Sequence, residues 1–245
     1  MIIKKADDKT GRLEFLENLK KLPSTNARQK ELLEKELHRL RQGIRGEKDA
    51  AYYIDFHYAD DRNFAVLHDL RITDDKWTAQ IDHLILGRYH AFLLETKNFN
   101  GDVTIDENGH FSVKYSYGRT YGIDSPLEQS RRHEKIFLKL LDKLNIHAVG
   151  GGPLKVEHVI LFSPKSKINK RRAPKDLDVS NIIKADELRA WHERFMNRPI
   201  SVSKFLILGA NALLRDRETV REWAEKISRQ HRRNDFLELP DFMKT

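Results

Sequence analysis

The chain has 245 residues, 39 % hydrophobic and 33 % charged, with 45 Lys and Arg against 37 Asp and Glu for a net charge of +8. It has no cysteine, which excludes disulfides and thiolate metal sites and suits a reducing compartment. Neither an apolar leader segment nor a run of about eighteen apolar residues occurs, so the expectation is a soluble cytoplasmic protein without a membrane partner.

The length suits one domain with an extension, or one domain and a small second one. The basic balance favours an acidic polymer as partner, nucleic acid before an anionic membrane. Many basic surfaces serve solubility alone, so charge does not decide the function.

Residues 1–25 are mixed and weakly patterned, and Ser24, Thr25 and Asn26 are candidate helix caps. Ala27 to Gln42 reads as an amphipathic helix with Leu32, Leu33, Leu37 and Leu40 at helical spacing. Gly43 and Gly46 punctuate it, and a second helix is expected from about Gly46, with Ala50, Ala51 and Ile54 as its apolar stripe. Glu47 lies on the apolar side of that helix's first turn. It either complements the helix dipole or points at a site. Phe64 to Ile72 reads as a strand.

Two apolar runs with a period of two, Trp77 to Leu86 and Ala91 to Asn98, flank Gly87-Arg88-Tyr89-His90, which predicts a β-hairpin. With the turn centred between Arg88 and Tyr89, Leu86 faces Ala91, Asp82 faces Glu95 and Gln80 faces Lys97. These side chains share a face with Leu84 and Leu93, whereas Ile81, Ile85, Phe92 and Leu94 take the other, with His83 and Thr96 among them. Opposed carboxylates about 5 Å apart repel by roughly 3 kcal/mol at an effective dielectric near 20. Lys97, a shared proton or a divalent cation can offset that repulsion. Paired carboxylates with a peptide carbonyl are the oxygen ligands that Mg²⁺ prefers. The competing reading is a solvated sheet edge whose acids pair with lysines.

Beyond the hairpin, Gly101–Ile105 and His110–Tyr115 are expected to pair around an Asn108-Gly109 turn. The tyrosine-rich stretch Tyr115–Gly122 packs on its own sheet or stacks on bases. Ser125-Pro126 opens a helix to about Leu144, with Gln129, Arg132 and His133 on consecutive turns of one face. After a glycine-rich break at Val149–Pro153 comes a buried strand, Val156–Phe162. The segment Ser163–Lys175 carries Lys165, Lys167, Lys170, Arg171, Arg172 and Lys175 with no acid. It is either a phosphate-tracking loop or a solvated linker. Helical patterns follow over Ala185–Met196, Val202–Arg215 and Glu218–His231, the last capped around Asp216.

Four blocks in order, Gly43-Ile44-Arg45-Gly46-Glu47, Gln80-Ile81-Asp82-His83, Leu94-Glu95-Thr96-Lys97-Asn98 with Gly101, and Ser125-Pro126-Leu127-Glu128-Gln129, resemble the nuclease-related domain (NERD) family of the PD-(D/E)XK superfamily. The resemblance covers roughly Gln42 to Phe162. It implies an α/β fold: a restriction-endonuclease-like mixed β-sheet core flanked by helices. The core takes residues 42–165, between an N-terminal helical extension (1–41) and a basic linker with a helical C-terminal extension (166–245).

By the same resemblance, Asp82, Glu95 and Glu47 look like the acidic residues of a Mg²⁺ site that also accepts Mn²⁺, with the Thr96 carbonyl as a further ligand. Lys97 looks like the superfamily lysine and Gln129 like the glutamine of the following helix. Ile81 stands where many relatives carry proline. The implied activity is metal-dependent hydrolysis of DNA phosphodiesters, DNA ahead of RNA, in a bacterial setting. Lys165, Lys167, Lys170, Arg171, Arg172 and Arg132 are the expected nucleic-acid contacts. The alternative is a nucleic-acid-binding or protein-interaction module that keeps the fold without turnover.

Overall fold

The predicted hairpin forms the centre of a six-stranded sheet. The computed structural model describes residues 1–99, 101–148, 152–198, 218–234 and 237–244. The helix expected over Val202–Arg215, the cap near Asp216 and most of the glycine break at 149–153 lie outside these residues. β3 (Thr78–Leu86) and β4 (His90–Lys97) pair antiparallel with Leu86 opposite Ala91 and His83 opposite Leu94, which is the expected register. β2 (Ala65–Thr73) runs antiparallel on the outer side of β3, and the edge strand β1 (Ile2–Lys4) runs parallel to β2. β8 (Lys155–Phe162) lies parallel to β4, and β10 (Ile182–Lys184) parallel to β8.

A smaller sheet has the order β7-β6-β5-β9, from β5 (Gly101–Ile105), β6 (Phe111–Tyr115), β7 (Thr120–Ile123) and β9 (Ile168–Asn169). The β5–β6 pair is the one that the Asn108-Gly109 turn predicted. The tyrosine-rich stretch that follows supplies β7. Tyr117 stacks on Tyr115 with ring centroids 5.4 Å apart, yet Tyr117 and Tyr121 stay exposed.

Helices cover both faces of the main sheet, because its central strands are apolar on both sides. On one face α2 (Ala27–Tyr58) and α4 (Leu188–Met196) bury Ala50, Ile54, Trp191 and Phe195 against Val66, Ile85, Phe92 and Leu94. On the other, α3 (Pro126–Lys143) and α5 (Glu218–Ser228) bury Phe137, Leu141, Trp223 and Ile227 against Leu67, Leu84 and Leu93. This mixed sheet between helices is the arrangement of a restriction-endonuclease-like core. Residues beyond 165 return to it, since β9 joins the small sheet and β10 the main one. Among the described residues no helix is long and apolar enough to cross a membrane.

The structure fills in one weakly patterned stretch and corrects two expectations. Residues 1–25 are structured: besides β1 they form α1 (Thr10–Lys21), whose Leu16 and Leu19 pack on Leu33 and Leu37 of α2. A three-residue edge strand is too short to display a period. The first correction is to α2, which does not break at Gly43 or Gly46 but runs 32 residues from a capping box between Asn26 and Gln29. Gly46 instead permits a close crossing: a Cβ there would lie 2.5 Å from Asn98 Cβ, whereas nothing stands within 4 Å of one at Gly43.

The second is to Ile81, which does not join Ile85 and Phe92 but packs in the cluster of Leu84 and Leu93. The pairs Leu67–Leu84 and Leu70–Ile81 both belong to that cluster, three residues apart instead of two or four. Between them Asp69 has a left-handed backbone, φ +53°, which breaks the alternation of faces much as a bulge does.

The two glycines of α2 should respond oppositely to alanine. Gly43→Ala is expected to stabilise the protein by about 0.5–1 kcal/mol through helix propensity. Gly46→Ala should destabilise it by about 1–3 kcal/mol, because the added methyl overpacks the crossing with Asn98. Urea denaturation of both variants checks the contrast.

Candidate active site

The site lies where the β3–β4 ladder ends. The last ladder pair is His83–Leu94, and beyond it the Asp82 side chain takes over from the backbone. Its Oδ2 accepts the Thr96 N–H at 2.7 Å. Gln80 therefore does not face Lys97 as the extrapolated register predicted, and its amide donates to Asp69 Oδ1 at 2.5 Å. β4 continues beside β8 as far as Lys97–Phe162, so Glu95, Thr96 and Lys97 stay on a rigid strand.

Glu95 is 3 % exposed, and its Oε1 accepts from Lys97 Nζ at 2.8 Å. Lys97 Nζ also donates to Gln129 Oε1 at 2.9 Å. Gln129 belongs to the first turns of α3, whose N-cap is Ser125. The next residue, Ser130, hydrogen-bonds His158 Nδ1 at 2.8 Å, and His158 Nε2 lies 3.2 Å from Glu134, which pins α3 to β8. This clamp sets where Gln129 and His133 emerge. His133 Nδ1 stands 3.9 Å from Glu95 Oε2. Burial, with help from Arg132 and Lys97, pushes the imidazole down to about 4, so it is neutral at pH 7.

Glu47 arrives from α2, directly after the Gly46–Asn98 crossing, and its Oε2 accepts from Lys9 Nζ at 2.6 Å. Lys9 also reaches Asp69 Oδ1 at 3.2 Å. Asp82, Glu95 and Glu47 all titrate above the ordinary carboxylate range, each chiefly because burial disfavours the charged form. For Asp82 the charges of Glu95 and Glu47 add to that rise. For Glu95 the neighbouring Lys97 opposes it, and for Glu47 the neighbouring Lys9 does.

Behind these acids His68 and His83 meet through their Nδ1 atoms at 2.7 Å, and His68 Nε2 lies 2.9 Å from Asp55. Burial holds both rings below the usual histidine range and therefore neutral at pH 7.

Residues 42–163 match the sequence model of the family described as nuclease-related domain. They are a nuclease-related domain. No curated protein and no solved structure matches the chain. Glu47, Asp82, Glu95, Lys97 and Gln129 all fall within the matched residues, and the fold brings them from α2, β3, β4 and α3 close together: Lys97 hydrogen-bonds Glu95 and Gln129, and the charges of Glu95 and Glu47 act on Asp82.

The surroundings contain residues that sequence reasoning passed over. Lys9 lies outside the matched nuclease-related domain, in the link between β1 and α1, and nothing in Lys4-Lys5-Ala6-Asp7-Asp8-Lys9 distinguishes it. Asp69 left a trace, since an acid interrupts the apolar run Ala65–Ile72.

Of the basic residues, Lys165, Lys167, Arg171, Arg172 and Arg132 are exposed, and Lys165 shares a cleft with Arg45 and Asn98. Lys170 differs: its ammonium donates to the carbonyls of Val179 and Ile182 at 3.0 and 2.6 Å and closes the loop on itself.

Among the described residues no group of three or more His, Asp or Glu side chains is arranged to hold a metal ion. A smaller donor set is present. Mg²⁺ commonly takes one or two carboxylates and fills its shell with waters and phosphate oxygens. Asp82 and Glu95 are hard-oxygen donors that repel each other in a buried setting.

The raised pKa of Asp82 fixes a sign. The folded protein keeps this proton after the unfolded chain has released it, so the group costs stability as pH rises from about 4. Asp82→Asn, whose side-chain oxygen can still accept the Thr96 N–H, should stabilise the metal-free protein at pH 7.5 by about 0.5–2 kcal/mol. The gain should shrink towards pH 4.5 in urea denaturation with EDTA.

Proposed function

We propose that the chain is a Mg²⁺-dependent nuclease that hydrolyses DNA phosphodiester bonds, with Mn²⁺ as a substitute ion. The observation that carries this reading is the position of Lys97. Its ammonium lies 2.8 Å from Glu95 and 2.9 Å from Gln129, near half-buried Asp82 and buried Glu95, whose proton affinities are raised. Asp82 and Glu95 would hold the ion, helped by the Thr96 carbonyl, with Glu47 lending charge from the facing helix. When bound, such an ion polarises the phosphoryl oxygen and lowers the pKa of a coordinated water.

The chain's own residues supply the rest. Lys97 orients the attacking water or stabilises the negative charge that develops on the phosphoryl oxygens. Gln129 holds the Lys97 ammonium in place and offers its amide to water or phosphate. Neutral His133 adds no charge at pH 7, and its Nδ1 stands 3.9 Å from Glu95 Oε2, beyond hydrogen-bond distance. The exposed cations Lys165, Lys167, Arg171, Arg172 and Arg132 engage the phosphate backbone, and each contact displaces counterions. A module that only binds nucleic acid gains nothing from carboxylates that repel phosphate.

Supercoiled plasmid and labelled single strands, incubated with Mg²⁺, Mn²⁺ or EDTA, test the reading. Asp82→Ala and Glu95→Ala should each lower metal-dependent cleavage by at least about 100-fold with an unchanged circular dichroism spectrum. Lys97→Ala should reduce single-turnover rate more than DNA affinity. Full cleavage by Asp82→Ala, or binding without cutting by the wild type in either metal, would favour the non-catalytic binding module. A separate titration addresses the basic segment. Replacing Arg171 and Arg172 with alanine should lower the slope of log affinity against log salt by about 1 for each side chain, and Lys170→Ala should leave that slope unchanged.

A further inference from the structure

Lys9 enters the site from outside the nuclease-related domain and takes up oxygens that could otherwise bind metal. Its ammonium lies 2.6 Å from Glu47 Oε2 and 3.2 Å from Asp69 Oδ1. Asp69 is 4 % exposed and has both oxygens engaged. Oδ1 also accepts from Gln80 at 2.5 Å, and Oδ2 accepts the Asp7 N–H at 3.0 Å. The segment that carries Lys9 is itself tied down. Lys4 Nζ donates to the carbonyls of His68 and Asp69, and Asp7 bridges Lys4 and His231.

We infer, on the hydrolytic reading above, that Lys9 stands where a second cation would sit and restricts the site to one divalent ion, held by Asp82 and Glu95. Two-ion phosphodiesterases keep their metals about 3.5–4 Å apart and need carboxylate oxygens for both. Here Asp82, Glu95, Glu47 and Asp69 are met by the ammonium groups of Lys9 and Lys97, with the exposed Arg132 acting on Glu95 from farther away. When all are ionised, two negative charges remain, which a single divalent ion balances. A second ion would have to displace an ammonium from Glu47 and Asp69 and would meet its charge at contact distance. The same ammonium borders an open cleft of about 810 Å³ shared with Arg12, Asp69, Arg71 and Gln80, so solvent ions can reach it.

Isothermal titration of the intact chain with Mn²⁺ decides the matter, with folding of each variant checked by circular dichroism. Wild type should bind one ion and Asp82→Ala none. Lys9→Met should bind two, because Glu47 and Asp69 lose their counter-charge, while Lys9→Arg should stay at one. Glu47→Gln should also keep one ion, since Glu47 belongs to the lysine and not to the metal. That variant carries the test if Lys9→Met does not fold. Two ions in the wild type, a folded Lys9→Met that binds one, or loss of the ion in Glu47→Gln would overturn the inference and leave the nuclease reading standing. A wild type that binds no ion would overturn both.

Discussion

The constraint on which the rest depends is the gathering of Asp82, Glu95 and Glu47 into one weakly hydrated space. Buried carboxylates resist ionisation, and their mutual repulsion compounds the effect. Folding has to oppose that tendency with fixed positive charge and hydrogen bonds. Lys97 does so from the same strand as Glu95, Lys9 does so from the far end of the chain, and the Thr96 N–H does so for Asp82. The end of the β3–β4 ladder is part of the same arrangement. A backbone N–H that has lost its strand partner is available for a carboxylate, so the interruption of the sheet and the placement of Asp82 are one event.

The scaffold's task is to deliver side chains from opposite layers to that interruption. Gly46 lets α2 approach Asn98 closely enough for the neighbouring Glu47 to reach the acids. The Ser130–His158–Glu134 contacts fix α3 against β8, and Gln129 precedes Ser130. Glu47 and Gln129 are thus each adjacent in sequence to a residue that fixes the packing of its helix. A small shift of either helix would move a polar group in the site, so stability of the layers and geometry of the site are coupled.

The hairpin was legible because two strong signals agreed: a period of two on both strands and a short glycine-containing turn. The acids, Lys97 and Gln129 were singled out through four sequence blocks, all inside residues 42–163, and the fold brings them close together. What escaped was non-local or local in the wrong sense. Gly43 and Gly46 looked like breaks because glycine is a poor helix former. Packing at both ends of α2 outweighs that preference, and Gly46 is required by a neighbour 52 residues away in sequence. Ile81 was assigned to the wrong face because period-two counting presumes an uninterrupted strand, and the left-handed Asp69 sits on the partner strand where the count cannot register it. Lys9 gave no signal because a lysine among charged residues acquires meaning only from the carboxylates it meets on folding.

The distribution of charge separates the two readings of the chain more sharply than its net value does. A basic protein that held nucleic acid through its surface would need cations spread over that surface and no acids near the phosphate. Here exposed Lys165, Lys167, Arg171 and Arg172 line the segment after β8, while four acids gather around the end of the β3–β4 ladder with Lys9 and Lys97. Phosphate drawn by the first group would be repelled by the second until a cation intervenes. That opposition is the electrostatic arrangement expected when binding the polymer and acting on it are assigned to different parts of one fold.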